Sequence, residues 1–288
     1  PGAGMVWPSQ VPSTVLLPGI VGFTGVTQIS GGSSDDRYSF GAGDLGSFSI
    51  DESAGGSDTI DLSLRPAAIA IDLAQTSAQV IDAGLTLTLP AENTVENVVG
   101  TRHADTISGN DLDNIIDGFG GADVLVGRDG NDTYVLLEAG GSDVIAITGG
   151  SGGDTVVALD AAHVWYLTAA GTGELHTGTT GRATFTGVTS LFGGADDDSY
   201  HFAAGNLGGF YIDDAGGVDT INFSARGAAV AFDLSDSDEQ KVDATDGSPL
   251  ALTLAAVNMI DNVIGTVYAD TLTGNELDNR LEGFGGND

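Results

Sequence analysis

The chain is predicted to be all-β, a solenoid of short strands separated by glycine-rich turns, and three observations carry the prediction. The stretch GFGGADVLVGRDGNDTYVL, Gly118 to Leu136, lays two nonapeptides of the form GGxGxDx(apolar)x end to end. Gly/Asp turns that lead into β-branched or aromatic runs recur at GGSSDDRYS from Gly31, GGSDTID from Gly55, GGSDVIA from Gly140, GGDTVVA from Gly152, GGADDDSYH from Gly193 and GGVDTIN from Gly216. Strand signals such as RYSF, FSID, AIAIDL, LTLTL, VWYL, ATFTG, GFYID and AVAFDL are short, alternate apolar with polar residues, and end at Gly or Asp. Only Ala74 to Ala83 and Leu234 to Thr245 approach helical periodicity, and their Ser, Thr, Asp and Gln content favours projecting loops.

Each nonapeptide reads as a six-residue turn followed by a three-residue strand. Gly118 to Val126 puts Leu125 at the inward position, and Gly127 to Val135 puts Tyr134 there. Glycine permits positive φ and lets carbonyls converge on one point, while the aspartate at the sixth position, Asp123 or Asp132, reaches into that concavity. Calcium takes about six to eight hard oxygens, which turn carbonyls and stacked carboxylates provide. Two nonapeptides make one coil, so residues eighteen apart stack, as Asp105 and Asp123 do. The frame extends backwards through Gly100 to Ser108 and Gly109 to Asp117, with Ile107 and Ile116 inward. Arg102 and His103 replace turn residues in the first of these, and Leu112 and Asn114 replace the Gly and Asp of the second, so ion sites there are expected to be incomplete. The order repeats at Gly265 to Thr273, Gly274 to Glu282 (with Leu277 and Asn279) and GFGGND, Gly283 to Asp288. The candidate ligands are therefore Asp36, Asp58, Asp105, Asp123, Asp129, Asp132, Asp143, Asp154, Asp196, Asp198, Asp219, Asp270 and Asp288, with the turn glycines Gly118, Gly120, Gly127, Gly283 and Gly285.

These nonapeptides resemble the haemolysin-type, repeats-in-toxin (RTX) calcium-binding family. VENVVGTRHADTISGNDLDN and IDNVIGTVYADTLTGNELDN are likewise similar to segments of large secreted repeat proteins and of serralysin-type C-terminal domains. The resemblance implies a parallel β-roll, secretion in an unfolded state, and folding on meeting millimolar calcium outside the cell.

Composition agrees with that chemistry. There are 41 acidic against 8 basic residues, a formal charge of −33, and the acids are 33 Asp to 8 Glu. Asp is the short-armed turn residue, so its excess fits ligands held in tight turns. About sixteen calcium ions would neutralise the charge, an upper bound because many carboxylates face water. With 41% apolar residues the chain is too hydrophobic for a solvated acidic tail. One Lys and seven scattered Arg exclude a phosphate-binding face, hence nucleic acid. Cysteine is absent, leaving metal as the available staple. The uncharged stretch 1–34 is broken by Pro8, Pro12 and Pro18 and has neither the apolar run of a membrane span nor a basic leader, so it is expected to form the first coils.

The two halves are copies. Gly25 to Ser63 matches Gly187 to Ser224 at an offset of 162, shortened by one before Asp219; Val6 and Trp7 correspond to Val164 and Trp165, and the nonapeptide block follows at an offset of 165. The expected division is 1–162, containing the nonapeptide block 100–135, and 163–288, containing the block 265–288, a window on a longer array.

Catalytic motifs read as turns. Gly41, Gly43 and Gly46 match GxGxxG, but the strand-like SFSID follows where a nucleotide fold needs a helix. Gly149, Ser151 and Gly153 match GxSxG, yet lead into DTVVAL rather than a helix. The four histidines form no HExxH, and acid pairs such as Asp197/Asp198 or Asp213/Asp214 are expected by chance in so acidic a chain. The aromatics Tyr38, Phe40, Tyr134, Tyr200, Phe202, Phe210, Tyr211 and Phe223 are expected in the core rather than on a carbohydrate-binding face. Three functional readings follow: a non-enzymatic calcium-bound extracellular rod of a fibre, surface layer or adhesin that joins copies of itself end to end; the calcium-dependent secretion and folding domain of a large protease or lipase; and a binder of cell-surface glycans.

Overall fold

The structure, a computed structural model, describes residues 25–89, 91, 94–136, 144–158, 161–178, 181–243 and 249–288. Asp143, Val6, Trp7 and most of the uncharged N-terminal stretch lie outside them. Among the described residues the secondary structure is all β, in mostly parallel sheets. None of their elements is a helix long and apolar enough to cross a membrane. The chain forms two compact units, Pro1–Glu138 with Gly150–Gly152, and Ala139–Gly149 with Gly153–Asp288.

In the first unit, Arg37–Ser39, Thr59–Asp61, Asn97–Val99, Ile115–Asp117 and Thr133–Leu136 stack in parallel. Their middle residues pair Tyr38 with Ile60, Val98, Ile116 and Tyr134 in one column, and all five are at most 2% exposed. A second stack, Ala70–Asp72, Thr106–Ser108 and Val124–Asp129, aligns Ile71, Ile107 and Leu125, all buried. The eighteen-residue period thus alternates between two sheets, Ile107 to Leu125 in one and Ile116 to Tyr134 in the other. Each inward aliphatic side chain contributes about 1.5–3 kcal/mol on burial. A third sheet pairs Gln28–Ser30, Gly46–Asp51 and Leu85–Thr88 in parallel and adds Gln79–Asp82 antiparallel. The stretch 74–83, expected as a projecting loop, therefore contributes one arm of a hairpin. The strand Gly46–Asp51 directly follows the GxGxxG match, as the turn reading requires.

In the second unit, Asp154–Ala158, Val188–Phe192, Gly208–Asp213 and Leu250–Leu254 stack in parallel. Opposite them, His163–Ala169, Ser199–Phe202, Thr220–Asn222, Asn262–Ile264 and Arg280–Glu282 align Trp165, Tyr200, Ile221, Val263 and Leu281. Ala231–Asp233 pairs with Thr271–Thr273. Two departures from parallel order occur: Gln240–Lys241, in the stretch from Leu234 expected as a projecting loop, pairs antiparallel with Leu250–Leu254, and Thr172–Thr177 runs antiparallel to both His163–Ala169 and Gly181–Thr186. The turn at Ala170 and Gly171, with Gly171 at φ +60°, is too short for a parallel crossover. Of the eight aromatics expected in the core, seven are at most 3% exposed; Tyr211 is the exception, at 42%.

Candidate metal centre

The aspartates follow one geometric rule. In five stacked pairs the later carboxylate accepts the backbone N–H of the earlier residue through Oδ1: Asp36 N to Asp58 at 2.8 Å, Asp105 N to Asp123 at 2.9 Å, Asn114 N to Asp132 at 2.9 Å, Asp198 N to Asp219 at 2.8 Å and Asp270 N to Asp288 at 2.9 Å. Oδ1 thereby fixes the register of successive turns. Oδ2 points back into its own turn: at Gly118, Gly127, Gly149 and Gly283 an added Cβ would overlap Asp123, Asp132, Asp154 and Asp288 respectively. The first glycine of the repeat is thus required for space. Positive φ falls elsewhere, on the second and fourth positions: Phe119 (+67°) and Gly121 (+112°), Arg128 (+89°) and Gly130 (+115°), Phe284 (+62°) and Gly286 (+125°). Gly120 and Gly285 have no atom closer than 3.5 Å to an added Cβ.

The structure gathers some predicted ligands and separates others. Asp36 and Asp58 converge with Glu52, and Asp198 and Asp219 converge with Asp214; in each group one oxygen per residue lies within 4.8 Å of the others. The two triads are copies, since Asp36, Glu52 and Asp58 map on Asp198, Asp214 and Asp219 through the 162-residue offset and its one-residue contraction. Glu52 and Asp214 each follow a strand, Gly46–Asp51 and Gly208–Asp213, and turn inward at its end. Glu52 is 1% exposed, Asp58 and Asp219 0%, and Asp198 2%. Both Glu52 carboxylate oxygens and the Oδ2 atoms of Asp58, Asp198 and Asp219 have no hydrogen-bond partner. Burial, reinforced by the charges of Asp58, Asp36 and Glu96, pushes the Glu52 carboxyl up to about 8. Burial likewise raises Asp58 to about 6, against the opposing hydrogen bond from Asp36 N–H. In the second triad burial and then mutual repulsion hold Asp214 and Asp219 above the usual carboxylate range. Tyr200 donates to Asp214 Oδ2 at 2.7 Å, and burial with that carboxylate's charge drives its phenol pKa upward.

Other turns are closed by the chain itself. Asp105 accepts from Thr101 N and Thr101 Oγ1 and from Ile69 N, at 2.6, 3.0 and 2.8 Å. Its copy Asp270 has the same three donors, Thr266 N, Thr266 Oγ1 and Val230 N. Where Asn replaces Asp, the amide occupies the turn: Asn114 Nδ2 donates to Glu96 O and Asn110 Oδ1 at 2.9 and 3.0 Å, and Asn279 Nδ2 to Asp261 O and Asn275 Oδ1 at 2.9 and 2.8 Å. At a third kind of turn a guanidinium is the cation. Arg65 binds Asp82 through Nε and Nη2 and donates from Nη1 to Gly41 O and Gly43 O. Arg226 repeats this with Asp243, Ala203 O and Gly205 O. The hydrogen bonds from Arg65 hold Asp82 below the usual carboxylate range.

Asp129 is exposed and accepts the Ser151 hydroxyl, Asp196 is exposed outside the second triad, and Asp154 is fully buried beside Gly149. Sequence reasoning missed Glu52 as a candidate ligand and took Asp214 for part of a chance acid pair. The available signal was the duplication, which places an acid at both positions. Chemically, each triad is an all-oxygen pocket whose unpartnered buried oxygens suit a hard cation. No protein-family model matches the chain, and no curated protein sequence matches it either.

Proposed function

We propose that the chain is a calcium-binding structural module of the haemolysin-type (RTX) class, a parallel β-roll or solenoid that works outside the cell, without catalysis, as a rod-like repeat of a fibre, surface layer or adhesin. The observation that carries this reading is the pair of carboxylate triads, buried, duplicated, and each holding oxygens without a donor. An isolated buried carboxylate costs several kcal/mol, on the order of 2 kcal/mol or more even for an unmet polar atom, so three together need a cation or protons. Calcium fits the donors: they are carboxylates, with turn carbonyls close by. Asp36, Glu52 and Asp58 would hold one ion, and Asp198, Asp214 and Asp219 another; its binding free energy then becomes folding free energy. The duplication supports a tandem array in which copies join end to end, because a parallel stack buries its apolar face only against neighbouring strands.

Circular dichroism with calcium and with EGTA tests the mechanism. The expected result is a β spectrum in calcium that is largely lost on chelation, and an unchanged spectrum and thermal midpoint would refute it. Negative-stain microscopy of the calcium form tests assembly: end-to-end filaments are expected, and uniformly short monomers would argue against self-association.

A further inference from the structure

We propose that the two triads form a separate class of cation site, one that prefers a trivalent hard cation such as a lanthanide to calcium. The inference deepens the calcium reading and rests on it for the chemistry of the turns, but its basis is the third acid. In the nonapeptide turns two carboxylates stack, as Asp105 and Asp123 do. Glu52 and Asp214 come from outside the nonapeptides and raise the count to three within 4.8 Å. Five buried oxygens in the two groups have no hydrogen-bond partner, and Glu52, 1% exposed, has neither of its two oxygens partnered. The arginines nearest in sequence are engaged elsewhere, Arg37 with Asp61, Arg65 with Asp82 and Arg226 with Asp243. Among the described residues His163 is the basic group paired with a triad acid, its Nδ1 3.2 Å from Asp198 Oδ1.

The three acids of each triad carry a formal charge of −3, and Glu96 beside the first and Asp261 beside the second add to the negative field. A divalent ion leaves at least one negative charge of the triad uncompensated, and a trivalent ion of similar size balances all three. Buried charges are weakly screened, so the difference falls on affinity. In a pocket with two carboxylates the advantage shrinks, since a trivalent ion then leaves an excess positive charge. Each triad should therefore take Tb³⁺ at least about 100-fold more tightly than Ca²⁺. Removal of the third acid should cut that ratio about tenfold or more.

The second triad has a built-in reporter. Tyr200 contacts Asp214, with Trp165 stacked on its ring at 5.9 Å, and Tyr38, the copy of Tyr200, is buried in the first unit. The experiment titrates Tb³⁺ into the full chain already folded in millimolar calcium and reads terbium emission sensitised by tyrosine and tryptophan. Two tight terbium sites per chain are expected. Asp214→Asn should weaken one about tenfold or more, with loss of its tryptophan-sensitised emission, and leave the other unchanged, and Glu52→Gln should do the reverse, so that the surviving site in each variant reports that the chain is folded. Tight terbium binding unaltered in both variants, or no terbium uptake against calcium, would overturn the inference. Failure of the calcium reading looks different: the wild-type chain would keep its β spectrum in EGTA, whatever terbium does.

Discussion

Arg226→Ala tests whether a guanidinium acts as a permanent substitute for a metal ion in the second unit. Arg226 and Asp243 side chains are both 0% exposed. The arginine makes two bonds to that carboxylate and two to the carbonyls of Ala203 and Gly205, the latter at 2.8 Å. Truncation leaves a buried carboxylate, still accepting from Leu250 N at 3.0 Å, and two carbonyls without their donor. Removing one partner of a buried ion pair costs about 3–5 kcal/mol. For a domain of this size each kcal/mol moves the thermal midpoint by about 2–4 °C, so the expected drop is about 6–20 °C. Scanning calorimetry in saturating calcium measures it, with every metal-dependent turn filled. Arg226→Lys should lose at least half as much, because an ammonium cannot span the carboxylate and both carbonyls. Adding Asp243→Asn to Arg226→Ala should recover part of the loss by removing the stranded charge. A fall of less than about 2 °C for Arg226→Ala, at a calcium concentration that no longer affects the midpoint, would refute the reasoning. Arg65→Ala, at the copy of the site, should behave alike.

Two further predictions concern the other turns. Asn114→Asp puts a carboxylate where an amide now donates to Glu96 O and Asn110 Oδ1, so at limiting calcium it should destabilise by about 2–3 kcal/mol and calcium should restore most of the loss; urea midpoints at two calcium concentrations give the answer, and equal losses at both would contradict it. The pH dependence without calcium follows from Glu52 at about 8 and Asp58 at about 6. Both lie above the ordinary carboxylate value near 4, so the folded chain holds these protons more tightly than the unfolded chain. Their stabilisation is complete below about pH 4 and is lost as pH rises through about 6 and then about 8. In calcium-free buffer the residual β signal should therefore fall from pH 5 to pH 8, and a flat or rising profile would argue against a proton-filled triad.

The sequence made the packing legible wherever a period was strict. Ile107, Ile116, Leu125 and Tyr134 were assigned inward from the nonapeptide frame alone, and all are 0% exposed. Alternation carries no strand direction, however, so the antiparallel hairpin at 163–177 could be inferred only from the tight turn at Ala170 and Gly171. The site was half legible. A repeat motif reveals the acids inside it, Asp36, Asp58, Asp198 and Asp219, but not an acid that joins them from the end of another strand, as Glu52 and Asp214 do. Left-handed backbone at Phe119, Arg128 and Phe284 was hidden for another reason: the turn imposes it on residues whose type gives no sign of it, at a cost of about 1–2 kcal/mol each.

The internal copies also explain why cation dependence should concentrate in a few turns. A Gly-rich turn folds its carbonyls inward whatever fills it, and this chain fills it in four ways: the Arg65 and Arg226 guanidinium groups, the Asn114 and Asn279 amides, the Thr101 and Thr266 donors to Asp105 and Asp270, and the carboxylate triads. The first three are covalently part of the chain, so they form with the fold. The triads alone among these combine like charges with buried oxygens that nothing in the chain satisfies. Adding a donor at one of them should then loosen the metal requirement of its unit more than removing an acid from any other turn. Glu52→Lys would be too large for a pocket where even a Cβ on Gly31 overlaps Glu52 and Asp36, whereas Asp58→Asn supplies an amide of the same shape, as Asn114 does one turn type away.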